Sequence, residues 1–145
     1  MTSTAELLSL RQQMIDGADE QGRAFCHRLA AATDEWLTAL HRDAVAAHPG
    51  APPCALVAIG GYGRGELAPF SDLDVLLVHE SDPGAVEEIA AAIWYPIWDA
   101  GISLGHAVRT LDVGDVIDDI SRPFVKPRGL GSLVWRAGDA QQPKR

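Results

Sequence analysis

Apolar positions recur at spacings of three and four through the first third of the chain. Phe25, Leu29, Ala32, Trp36 and Leu40 form one stripe, and Leu7, Leu10, Met14 and Ala18 an earlier one. Residues from about Thr4 to His48 are therefore predicted helical. Gly17 and Gly22 fall between the stripes and predict a break or kink. HPGAPP, His48 to Pro53, ends the helix, because proline removes a donor and forces the residue before it out of the helical region.

The pattern then shortens. CALVAIG, from Cys54, is an apolar run that ends in glycine, and DLDVLLVHE, from Asp72, is a second; both predict buried strands. SDPGAVEEIAAAIWYPIWDAG opens on cap-like Ser81 and Asp82 with Pro83 in the first turn. It carries Val86, Ile89, Ile93 and Ile97 at helical spacing, with a kink predicted at Pro96. ISLGHAVRTL returns to strand character, and LDVGDVIDDI predicts another short helix.

The expected fold is α/β: a small mixed sheet with flanking helices, preceded by a long N-terminal helix. Residues 1–50 form the helical segment and 51–120 the core. Residues 121–145, rich in proline and glycine without periodicity, are expected to be an irregular, truncated tail.

Composition narrows the function. Twelve basic and twenty acidic residues give a net charge of −8, which argues against nucleic acid as a partner held by bulk charge. A nucleotide remains admissible, because backbone amides and a bound cation hold phosphate locally. No apolar run reaches the roughly 18 residues of a membrane span, and MTSTAELLSLRQQ lacks a basic n-region and an apolar h-region. A soluble, cytoplasmic protein is expected. Cys26 and Cys54, without a CxxC or a histidine cluster, read as reduced thiols.

The chemistry concentrates in IGGYGRGELAPFSDLDVLLV, Ile59 to Val78. Alternate residues of a strand share a face, so Asp72 and Asp74 lie together. Two carboxylates that close repel unless they share a cation, and a hard divalent ion such as Mg²⁺ suits oxygen donors. The competing reading has both aspartates capping a turn with help from Ser71. Gly60 and Gly61 let the backbone approach a phosphate chain closely. YGRGEL reads as a tight turn entering a short helix whose N-terminus favours an anion. Arg64 sits there as a bidentate phosphate clamp, or else as a surface partner for Glu66.

GGYGRGELAPFSDLDVLLV resembles the signature of the DNA polymerase beta type nucleotidyltransferases: two small residues, a spacer of ten, then D-x-D in an apolar strand. With IWYPIWDAGISLGHAVRT downstream, it is similar more narrowly to the N-terminal domain of the bacterial PII-protein uridylyltransferase family, over about Ala55 to Thr110. The resemblance implies that Gly60, Gly61 and Ser71 hold the triphosphate and that Asp72 and Asp74 bind Mg²⁺. It also implies transfer of UMP from UTP to a tyrosine of the PII signalling protein. An adenylyltransferase using ATP, or a non-catalytic nucleotide-binding domain, are the alternatives.

The chain departs from many polymerase-beta-type enzymes in offering His106, and no acid, on the later strand. Asp112 or Asp115 would serve as a third carboxylate only if the chain folds back. Full relatives continue into a helical segment, a hydrolase domain and regulatory domains, which do not fit after Thr110. Tyr62 reads as a base-stacking or a packing residue, and His106 as a half-buried histidine. Trp94, Tyr95 and Trp98 read as core. Arg109 stays undecided between a triphosphate and an acidic neighbour.

Overall fold

The chain enters its first helix through a capping box: Ser3 Oγ accepts the Glu6 amide at 3.2 Å, and the Glu6 carboxylate accepts the Ser3 amide at 2.6 Å. The computed structural model describes residues 3–16, 22–82, 84–110 and 134–136. Helix α1 spans Thr4–Asp16 and α2 spans Arg23–Ala47. The predicted helical segment is thus two helices, and Gly22, with φ +71°, stands immediately ahead of the second. Trp36 Nε1 donates to Thr4 Oγ1 at 3.0 Å and ties α2 to α1. Along α2, Phe25, Leu29, Trp36 and Leu37 are buried, while Ala32 and Leu40 flank the core half-buried.

Strand β1 (Cys54–Ala58) pairs antiparallel with β2 (Leu73–His79), which pairs parallel with β3 (Leu104–Thr110). A fourth strand, β4 (Val134–Arg136), adds parallel to β1, so the sheet order is β3-β2-β1-β4. The mixed α/β sheet with flanking helices is the architecture expected. β4 arises from the segment expected to be irregular. The expected helix in Leu111–Ile120, with Asp112 and Asp115, lies outside the described residues, as does the rest of the tail.

Strand alternation sorts the sheet's side chains. Cys54, Leu56 and Ala58 of β1 and Leu73, Val75 and Leu77 of β2 join Leu29, Trp36, Leu37, Ile89, Ile93 and Ile97 in one apolar core. The helices therefore cover the Leu73 face, and Asp74 belongs to the other. At about 25 cal/mol per Å² of apolar surface removed from water, this core is the main term holding the sheet to the helices.

Three local expectations are corrected. The short helix near the glycines, α3, is Gly60–Gly63 itself and does not follow YGRGEL. Gly65 has φ +72° and Glu66 to Ala68 run without helix, so the turn closes at Arg64. Helix α4 starts at Glu87 and runs through Pro96 to Asp99. Ser81 and Asp82 do not cap it: the Ser81 amide donates to His79 Nδ1 at 3.2 Å, and Asp82 O accepts the Ala85 amide. Finally, of the α4 aromatics only Trp94 is core. Tyr95 is 61% exposed and Trp98 43%, because the buried stripe of α4 is Ile89, Ile93, Trp94 and Ile97.

Candidate nucleotide and metal site

The glycine turn and the D-x-D strand meet at one end of the sheet. β1 ends at Ala58, and the Ile59 amide still bonds to Asp74 O at 3.0 Å. The next residue, Gly60, turns with φ +61°, a region L side chains rarely enter. A Cβ on Gly60 would also stand 2.9 Å from Asp74 Oδ2. Backbone conformation and space both require glycine here. The amides of Gly60 and Gly61 open a helical turn and so lack acceptors within it.

Two long-range bonds fix the loops that carry the site. Tyr62 is buried, and its hydroxyl donates to Asp34 Oδ1 of α2 at 2.6 Å. Of its two readings, the packing one holds. Arg11 Nε of α1 donates to Pro69 O at 2.6 Å and straps down the loop that leads to Ser71 and Asp72. Ser71 and Asp72 are exposed just ahead of β2. Neither Arg11 nor Asp34 was visible as a site residue in the sequence, since each acts across more than twenty positions.

Asp74 is half-buried, and its carboxyl titrates above the ordinary range, first because burial disfavours its charge and second because Asp72 adds a like charge. Asp72, one residue ahead of β2, thus stands within electrostatic reach of Asp74. No hydrogen bond to the Asp74 carboxylate occurs among the described residues. Arg64, an exposed residue, gives its Nε to Glu66 Oε2 at 3.2 Å. Its Nη2 lies 3.7 Å from where a Gly61 Cβ would be, so the guanidinium overhangs the glycine turn while paired. Such a surface pair is worth at most about 1 kcal/mol and yields readily to a phosphate.

Gly105 is the residue that sequence reasoning passed over. It pairs with Asp74 across β2 and β3. A Cβ there would collide with Asp74 Oδ1 and lie 3.4 Å from Cγ. The signal was an isolated glycine inside a strand pattern.

His106, next along β3, faces the other way. Its ring lies 5.2 Å from Trp94 and 5.3 Å from Trp98, between centroids. It belongs to the α4 side and not to the carboxylates. Arg109 shares the Gly105 face but stands about 13 Å further along the strand, where its Nη1 donates to Val108 O at 3.2 Å.

The donor set suits a hydrated Mg²⁺. Asp72 and Asp74 offer hard oxygen atoms, and no cluster of three or more His, Cys, Asp or Glu side chains occurs among the described residues. Water and phosphate oxygens would fill the remaining positions, as is usual for this ion.

The chain is similar to known proteins. Residues 41–135 match the family described as "Nucleotidyltransferase domain". A Streptomyces coelicolor protein named "Bifunctional uridylyltransferase/uridylyl-removing enzyme" is 54% identical over 83 residues, 57% of this chain and 10% of that protein. A Mycobacterium tuberculosis protein of the same name is 53% identical over 88 residues, 60% and 11% of the two. One from Chromobacterium violaceum is 39% identical over 109 residues, 73% and 12%. The chain thus spans about a tenth of the length of these curated relatives. No solved structure matches it. No helix among the described residues is long and apolar enough to cross a membrane.

Proposed function

The chain belongs to the nucleotidyltransferase domain family, and from that membership we propose that it transfers UMP from UTP to a tyrosine of the PII signalling protein. The observation that carries a nucleotidyl-transfer reading is the placement of Asp74. Its carboxylate stands at the junction of the glycine turn and β2, near Asp72, with no salt bridge or hydrogen bond to it among the described residues. The choice of UTP and of PII rests on the likeness to proteins named uridylyltransferase and on the wording of the glycine and D-x-D segment.

In this reading each residue has a separate task. Gly60 and Gly61 present amides to the triphosphate, and Ser71 adds a hydroxyl. Arg64 exchanges Glu66 for a phosphate oxygen. Asp72 and Asp74 hold Mg²⁺, which when bound neutralises the departing pyrophosphate. The Tyr62–Asp34 and Arg11–Pro69 bonds keep both loops in register, so that the acceptor hydroxyl meets the α-phosphorus in line.

The test is to incubate the chain with PII protein, Mg²⁺ and either labelled UTP or labelled ATP. Label from UTP on PII, lost in Asp74→Asn, is the expected result. Label from ATP alone makes the chain an adenylyltransferase. No transfer by a folded chain that binds nucleotide with Mg²⁺ makes it a nucleotide-binding domain.

A further inference from the structure

We infer that Gly105 is a positioning residue for Asp74: with Gly60 on the opposite side, it forms a slot that holds the carboxylate in its metal-binding orientation. The inference rests on the Mg²⁺ role proposed above for Asp74.

β2 lies between β1 and β3, and Asp74 is flanked on both sides by glycine, Gly60 at the end of β1 and Gly105 directly across on β3. The carboxylate spans the gap. Oδ2 lies toward Gly60, 2.9 Å from its absent Cβ, and Oδ1 occupies the place where a Gly105 Cβ would be. Glycine inside a strand sacrifices order and packing, so its presence marks a close approach by something else. At position 105 that something is a side-chain oxygen. The φ of Gly105 is not in the positive region that glycine alone favours, so space is what excludes a side chain here. Both oxygens thus lie against a glycine, and a Cβ at position 105 would exclude this placement of the carboxylate.

The experiment uses the whole chain as wild type, Gly105→Ala, Asp74→Ala and the double variant. Mn²⁺ is titrated by electron paramagnetic resonance, and thermal melting is followed in EDTA. Gly105→Ala is expected to weaken Mn²⁺ binding by about tenfold or more, the usual effect of disturbing a ligand's support. In EDTA it lowers the melting temperature beside Asp74 but not in the Asp74→Ala background, where the oxygen is gone. Retained Mn²⁺ affinity in a folded Gly105→Ala chain overturns the slot while leaving the functional reading intact. A wild-type chain without Asp74-dependent Mn²⁺ binding overturns that reading and the slot with it. If Gly105→Ala does not fold, the double variant decides. Folding as well as Asp74→Ala supports the slot, and failing to fold shows that the glycine serves the backbone instead.

Discussion

Gly105 and His106 are neighbours in the chain and opposites in the fold. One faces Asp74 and contributes nothing but space; the other faces α4 and meets two indole rings. On side-chain chemistry alone His106 was the better candidate for a site. The two-residue period of a strand gives the carboxylate face to its neighbour. A reactive group is therefore a weaker indication of function than the face on which the backbone places it.

The comparison breaks first at Asp74. Asp74→Asn should lower UMP transfer by about 10³-fold or more, since it removes a metal ligand and leaves the remaining loops in place. Melting in EDTA at neutral pH should stay level or rise. The folded carboxyl binds its proton more tightly than the unfolded one, so ionisation at neutral pH costs stability that asparagine does not. A large fall in melting temperature would show Asp74 to be structural.

Tyr62→Phe tests how much of the glycine turn depends on α2. The hydroxyl bond to the Asp34 carboxylate is charge-assisted, so its loss should cost about 2 kcal/mol in urea denaturation. Transfer activity should fall with it. Arg64→Gln should raise the KM for UTP about tenfold with little change in melting, the effect of losing one phosphate contact at an exposed position. An unchanged KM would leave Arg64 as nothing more than the partner of Glu66.

Acid provides a subtler contrast between buried polar groups. His41 and His79 are 2% and 1% exposed, and burial lowers the pKa of each. Unfolded histidines take up protons below about pH 6.5, whereas these resist until lower pH. Stability present above that value should therefore decline as pH falls through it toward the lower folded values. Urea midpoints at about pH 7.5 and about pH 5.5 should differ, and His41→Gln should narrow the gap. The smallest effect belongs to His106→Ala, which should leave transfer within about twofold and cost about 1 kcal/mol of ring packing. A large loss of activity there would return His106 to the site.

Much of this was legible in the chain. The helical stripes, the apolar strands and the glycines between them fixed the elements, because those signals are local and periodic. D-x-D implied two carboxylates close together, and Asp72, just ahead of β2, is near enough to raise the Asp74 carboxyl. The failures have a common physical origin. The start of α4, the exposure of Tyr95 and Trp98, and the anchors Arg11 and Asp34 are decided by contacts between distant segments. Period alone put three α4 aromatics in the core. The buried stripe, set by the sheet that α4 packs on, took one. Gly105 was readable as an oddity, but its meaning required knowing that Asp74 stands opposite.

The two straps have a practical corollary. The family match begins at residue 41, yet Arg11 and Asp34 lie ahead of it and hold the Ser71 loop and the glycine turn. The matched stretch is thus narrower than the unit these two bonds hold together. A chain trimmed to residues 41–135 would retain every residue proposed to hold phosphate or metal. It would lose the two struts that keep them in alignment.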